Sequence, residues 1–285
     1  MGTSRFERTT SVLAHGDGRY TGEIGEEWNC PIVPQGGTVV ATLGRAMGLE
    51  LGESDQQLRS MSAVFAGQVH HGQVEIQVQM LRRGRSMSQC GATLHNPETD
   101  SGTTAVAVFG APRRGFAFTD IAPPEVPPPL ACPSFRDSAP ADFDLRPPFE
   151  FWKHVEGRPA IGHAPWDEYE PSSSLRAYWY RFDEPARLDD GRWDPLALVA
   201  LCDTMPGAVG ERLGPQPEAW LPPSADFTVH VLDDARAEWI LGVNRARHAG
   251  DGYASVDMEL WDMEAAEPKL VAYGTQMMFF SFPKE

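Results

Sequence analysis

The feature that most restricts the fold of this chain is an order of elements that appears twice, once on each side of a proline-rich bridge. Residues 121–150 hold nine of the 25 prolines. Proline fixes φ and has no N–H to donate, so this stretch can be neither regular helix nor central strand. Upstream of it, a strand-like YTGEI (20–24) leads through a PQGG turn into a helix-like TVVATLGRAMGLEL (38–51). Strand-like runs follow at 61–67, 73–81, 87–96 and 102–110. Downstream, AYWYRF (177–182) leads through GRWDP into a helix-like LALVALCDTMPGAV (196–209), and strands are expected at 226–232, 237–245, 253–262 and 269–282. Matched order at matched spacing points to a duplicated unit.

Each unit has one apolar helix and several strands that alternate or are rich in β-branched and aromatic residues. The second helix is apolar nearly all round, which implies burial on most sides. The economical arrangement wraps an antiparallel sheet around each central helix and joins the two sheets through edges or faces, an α+β fold. The expected divisions are a first unit over 1–110, the bridge over 111–175 with a short helical turn near 148–155, and a second unit over 176–285.

Charge narrows the partners. With 24 basic and 40 acidic residues the net charge is −16, so most of the surface repels nucleic acid and anionic membrane. An anionic ligand needs a local basic patch. No run reaches the roughly 20 apolar residues of a spanning helix, and the first residues lack the apolar stretch of a signal peptide. Cys30, Cys90, Cys132 and Cys202 are scattered without a CxxC, as expected of reduced thiols in a cytoplasmic protein. His70 and His71 read as turn residues, with no acid or cysteine nearby to complete a metal set. No G-x-S-x-G elbow is present.

Several local signatures, in order, carry a resemblance. They are Gly36 and Gly37 before the first central helix, the segment LRRGRS (81–86), DFTVHV (226–231) after the second helix, and the C-terminal LVAYGTQMMFF (270–280) with a glutamine inside it. This layout resembles the double hotdog fold of the acyl-CoA thioesterase II family. The resemblance implies two antiparallel sheets each wrapped around a central helix. It also implies hydrolysis of acyl-CoA to a free acid and coenzyme A in lipid metabolism, with no cofactor or metal and in a homo-oligomer. It implies a catalytic trio of an Asp on the second helix, a Thr on the next strand and a Gln on the last. Here these are Asp203, Thr228 and Gln276.

The residues themselves leave two readings for each. Asp203 either ends its helix in water, since Pro206 and Gly207 follow, or is a desolvated functional group. Thr228 in a strand is explained by β propensity alone. Gln276 interrupts a run that should be buried, and a buried amide needs partners, whether backbone or ligand. Comparison of the halves adds weight to the functional reading. The counterparts of the three fall near Leu43, near Ala63 and near Val108 or Phe109, all apolar, as expected if one copy kept the site.

In thioester hydrolysis a carboxylate acts as general base on water or as nucleophile, and donors must meet the oxyanion. Gly36 and Gly37 are candidate oxyanion donors, or an ordinary tight turn before a helix. Arg82, Arg83 and Arg85 are candidates to grip the phosphates of CoA, or a solvated strand end. Two other functions compete. A hotdog hydratase or dehydratase pairs Asp with a nearby His, which WDPLALVALCD does not offer. A non-catalytic acyl-CoA-binding protein needs a pocket but no polar trio.

Overall fold

The computed structural model describes residues 3–52, 54–137, 150–164, 166–216 and 218–282. Twelve antiparallel strands form one continuous sheet in the order β1-β2-β4-β5-β6-β3-β9-β12-β11-β10-β8-β7. The first six are β1 (Val12–Gly16), β2 (Arg19–Ile24), β3 (Gln57–Phe65), β4 (Gly72–Arg82), β5 (Met87–His95) and β6 (Thr103–Gly110). The second six are β7 (Val155–Ile161), β8 (Arg176–Phe182), β9 (Ser224–Val231), β10 (Ile240–Gly250), β11 (Tyr253–Asp262) and β12 (Lys269–Phe279). The expected pair of sheets therefore joins edge to edge, at the seam between β3 and β9. The double hotdog expected from the sequence is the architecture observed.

Alternation sets the inner and outer faces. In β4, Val74, Ile76 and Val78 are buried while Glu75, Gln77 and Gln79 are exposed, the pattern of a sheet with one face on a core. The inner face holds two helices side by side, α2 (Gly36–Leu51) and α3 (Pro195–Cys202). Gly37 lies against Ala200 and Asp203, and Gly44 lies against Leu196. The helices are therefore antiparallel, and the glycines let their axes approach closely. Two short helices, α1 (Arg5–Thr10) and α4 (Gly207–Leu213), flank this pair.

The structure differs from the sequence reading in several elements. The helix expected over 196–209 is broken. Asp203 leaves the helix as C-cap of α3 at φ −80°, ψ 21°, and α4 starts only after Pro206. Pro206 lacks an N–H and cannot continue the ladder. Buried Asn244 on β10 donates to the carbonyls of Thr204 (3.4 Å) and Met205 (3.2 Å) at the break, beside the backbone bonds these carbonyls accept from Gly207 and Ala208. The bridge also supplies β7, which sits at the sheet edge where Pro159 costs no ladder bond. A helical turn at Phe151–Lys153 falls where one was expected, though 148 and 149 lie outside the described residues.

Part of the bridge covers the outer face of the second half. Trp179, Trp239, Leu241, Val243 and Trp261 form a separate buried cluster there, with Cys132 and Val126 packed on it. The indole N–H of Trp179 donates to the carbonyl of Pro127 at 3.0 Å, the partner a buried tryptophan requires.

Candidate active site

The question posed by Asp203 is answered at the point where α3 ends. The helix does stop, yet Asp203 is buried, with 8% of the residue exposed. It lies between the C-terminus of α3 and the N-terminus of α2. Its Oδ2 accepts the backbone N–H of Gly37 at 2.7 Å, and its Oδ1 accepts from Gln276 Nε2 at 2.6 Å. The first-turn N–H groups of a helix have no intrahelical partner and carry the positive end of the dipole. Burial drives the Asp203 pKa up to about 7, against the opposing pull of the Gly37 and Gln276 hydrogen bonds. Burial, and then the Asp203 charge, raise the thiol of Cys30 to about 12 and raise that of Cys202 as well.

No side chain fits at either glycine. A Cβ on Gly36 would stand 2.9 Å from the Phe65 ring and 3.0 Å from Asp203 Oδ2. One on Gly37 would stand 2.7 Å from Asp203 Cβ and 2.9 Å from Ala200 Cα. The glycines that the sequence reading placed in a turn form the first turn of α2 itself. Gly37 departs from its expected role, because its N–H already holds Asp203. Gly36, one residue earlier, keeps a helix-terminal N–H at the same place.

Gln276 is 2% exposed. Its amide nitrogen donates to Asp203 and to the hydroxyl oxygen of Ser224. Its Oε1 is buried without a hydrogen-bond partner among the described residues. An unfilled acceptor in a buried place is rare and calls for a ligand or water. Asp203 and Gln276 therefore come together as expected.

Thr228 does not join them. Its neighbour Phe227 is fully buried on the inner face, so Thr228 points outward, where its hydroxyl donates to Ser62 Oγ at 3.0 Å. The hydroxyl beside Gln276 belongs instead to Ser224. The register of β9 on β12 shifts there, with Met277 opposite Asp226 but Met278 opposite Ser224. Ala225 is the extra residue of a β-bulge, which re-aims the residue before it. Without the bulge Ser224 shares the outward parity of Thr228, so alternation alone hides it.

The arginines lie at the other end of α2. Arg83 donates to the carbonyls of Leu51 and Glu50, both at 2.8 Å, and so caps the helix C-terminus. Sixteen residues of helix put that end roughly 24 Å from Gly36. Arg82 and Arg85 are exposed there. The expected grip of Arg83 on a phosphate gives way to a structural role. Among the described residues no group of three or more His, Cys, Asp or Glu side chains could hold a metal ion, and no helix is long and apolar enough to cross a membrane. Two surface hollows, one lined by Phe135 and Asp167 and one by Ser11 and Gln73, include no residue of the Asp203 cluster.

Residues 24–110 match the acyl-CoA thioesterase N-terminal domain, and residues 124–280 match the C-terminal domain of the same enzymes. The chain belongs to the acyl-CoA thioesterase family. Solved structures match it over nearly all of its length. A hotdog-fold protein of unknown function from Alicyclobacillus acidocaldarius is 28% identical, with a TM-score of 0.82 over 99% of this chain and 100% of that one. An acyl-CoA thioesterase II from Mycobacterium marinum is 18% identical, with a TM-score of 0.73 over 98% and 99%. Among curated proteins none matches this acyl-CoA thioesterase family member.

Proposed function

We propose that this chain hydrolyses acyl-CoA thioesters to a free carboxylic acid and coenzyme A at the Asp203–Gln276–Ser224 cluster. The observation that carries this reading is the buried carboxylate, raised to about 7, next to the unfilled Oε1 of Gln276. A water that donates one O–H to Gln276 Oε1 and the other to Asp203 is oriented and deprotonated by the same pair. Its oxygen attacks the thioester carbonyl carbon while Asp203 takes the proton. The tetrahedral oxyanion meets the N–H of Gly36 at the positive end of α2. Collapse breaks the C–S bond, and the proton on Asp203 passes to the departing sulfur.

Geometry favours Asp203 as base over nucleophile. Both of its oxygens are held, one by backbone and one by Gln276, so it cannot swing to attack. A pKa close to neutrality suits a base at physiological pH. Ser224 accepts from Gln276 and so fixes the amide in the orientation that leaves Oε1 facing the water.

The test is thiol release from a panel of acyl-CoAs by the wild type and by Asp203→Asn. Loss of turnover by about 100-fold or more is expected, the usual scale of a general base. Undiminished turnover in the variant sinks the assignment.

A further inference from the structure

Gln35 is an unusual helix cap. Caps are commonly Ser, Thr, Asp or Asn, whose short side chains reach only their own helix. Gln35 is 4% exposed and does two things at once. Its Oε1 accepts the N–H of Thr38 at 2.9 Å and the Thr38 hydroxyl at 3.0 Å. Its Nε2 donates to the carbonyl of Ala200 in the last turn of α3 at 2.8 Å. That carbonyl lies at the helix end, where its backbone bond is the long 3.3 Å one from the cap N–H of Asp203. One amide thus closes the N-terminus of α2 and the C-terminus of α3, the two ends between which Asp203 sits.

The duplicated partner of Gln35 shows what is special about it. Asp194 is the N-cap of α3, accepting from Leu196 N at 2.9 Å. It also reaches across to the other helix, through an ion pair with Arg45 of α2 at 2.5 Å. Both caps therefore clamp the helix pair, one at each end. The cap at the far end is charged and neutralised by an arginine. The cap at the Asp203 end is a neutral amide. Among the described residues, the thiols of Cys30 and Cys202 are shifted toward the protonated form by burial and then by the Asp203 charge. Gly37, Gln276 and Ser224 offer only neutral dipoles. Among the described residues no Lys, Arg or His forms an ion pair with Asp203, so a carboxylate cap at 35 would add an uncompensated like charge.

We infer that Gln35 is a positioning residue for the reaction, which holds the Gly37 N–H against Asp203 by tying α2 to α3 and caps α2 without placing a charge beside the base. This rests on the reading of Asp203 as the base.

The experiment compares pH–rate profiles of kcat/KM for the wild type, Gln35→Glu, Gln35→Ser and Asp194→Asn, with Asp203→Asn as reference. Gln35→Glu keeps an acceptor for Thr38 but cannot donate to Ala200. Its acid limb should move to higher pH by about one unit, so that activity at pH 6 falls about tenfold and recovers by pH 9. Gln35→Ser keeps a short cap and loses the tie. Its limb should also move up as the Gly37 bond to Asp203 loosens. Asp194→Asn loses the far clamp, and it should lower the melting temperature while leaving the limb in place. If both Gln35 variants fold and their limbs superimpose on that of the wild type, the inference is overturned. The same holds if Asp194→Asn moves the limb as much as they do, since Gln35 would then be only a structural clamp. Asp203→Asn separates the two failures. If it retains turnover the base assignment falls, whereas loss of its turnover with unmoved Gln35 profiles removes Gln35 alone.

Discussion

Thr228 and Ser62 share a hydrogen bond of 3.0 Å across the seam where the two halves of the sheet meet. They sit opposite each other in the register, on the outer face, and occupy equivalent places in the two copies. The hydroxyl in the second copy is therefore matched by a hydroxyl in the first, as a structural pair would be. Thr228→Val should leave kcat/KM within about twofold and cost about 1 kcal/mol of stability, the net worth of one such bond. Ser224→Ala should lower kcat by about tenfold or more, because Gln276 loses one of the two acceptors that orient it. Steady-state kinetics of the two variants side by side decide between the hydroxyls. A larger loss in Thr228→Val returns the role to Thr228.

Correct alignment of the copies restores the argument that the wrong hydroxyl weakened. Matching the helix caps Gln35 and Asp194 places Gly44 on Asp203 and Gly37 on Leu196. Both pairs are the close contacts between the helices, Gly37 with Asp203 and Gly44 with Leu196. In the strands, Ser62 on Thr228 places Leu58 on Ser224, and the ladder to the next strand places Ala107 on Gln276. Even the bulge is duplicated, at Arg59 in β3 and at Ala225 in β9. The counterparts of Asp203, Ser224 and Gln276 are thus Gly44, Leu58 and Ala107. Where the first copy has no carboxylate, the side chain of Leu196 fills the space against Gly44.

The repeat was legible in the sequence because period and apolarity are local, whereas the pairing of Asp203 with Gln276 followed from the family resemblance. The bulge was not legible. One extra residue reverses every side chain beyond it, and nothing in SADFTV marks Ala225 as that residue. The role of Arg83 was hidden for a different reason. Its partners are backbone carbonyls 32 and 33 positions away, and a sequence does not display which carbonyls a helix end leaves free. The clamps at Gln35 and Asp194 likewise depend on which helix ends meet.

The raised pKa of Asp203 has a consequence for stability. A carboxyl that titrates near 4 in the unfolded chain and at about 7 in the folded one holds its proton more tightly when folded. Stability from this group is fully present below about pH 4 and is lost as pH rises through 7. The loss is of order 4 kcal/mol for a shift of about three units. Asp203→Asn has no such titration. Denaturant melts at pH 4.5 and pH 8.5 should show the variant gaining on the wild type at the higher pH by a few kcal/mol. Parallel losses in both proteins would place the desolvation elsewhere.

Two glycines of α2 should respond oppositely to alanine. At Gly37 the new methyl would stand 2.9 Å from Ala200 Cα and 3.0 Å from its carbonyl oxygen, and neither backbone atom can give way without moving α3. Gly37→Ala should cost about 1–3 kcal/mol and most of the turnover, since the same shift stretches the bond to Asp203. At Gly48 nothing lies within 4 Å of the added methyl. Gly48→Ala should gain about 0.4–1 kcal/mol with kinetics unchanged. Thermal melts and thiol-release assays on both variants check the pair.

Arg83 separates a helix cap from a phosphate grip. Its two hydrogen bonds hold the carbonyls of Glu50 and Leu51, at the end of α2 remote from Asp203. Removing them with Arg83→Ala should lower stability by about 1–2 kcal/mol, a loss visible in a denaturant melt. KM for acyl-CoA should stay within about twofold, because the guanidinium is already engaged by backbone. A phosphate grip demands the reverse, a raised KM at unchanged stability, and that outcome would assign Arg83 to the substrate after all.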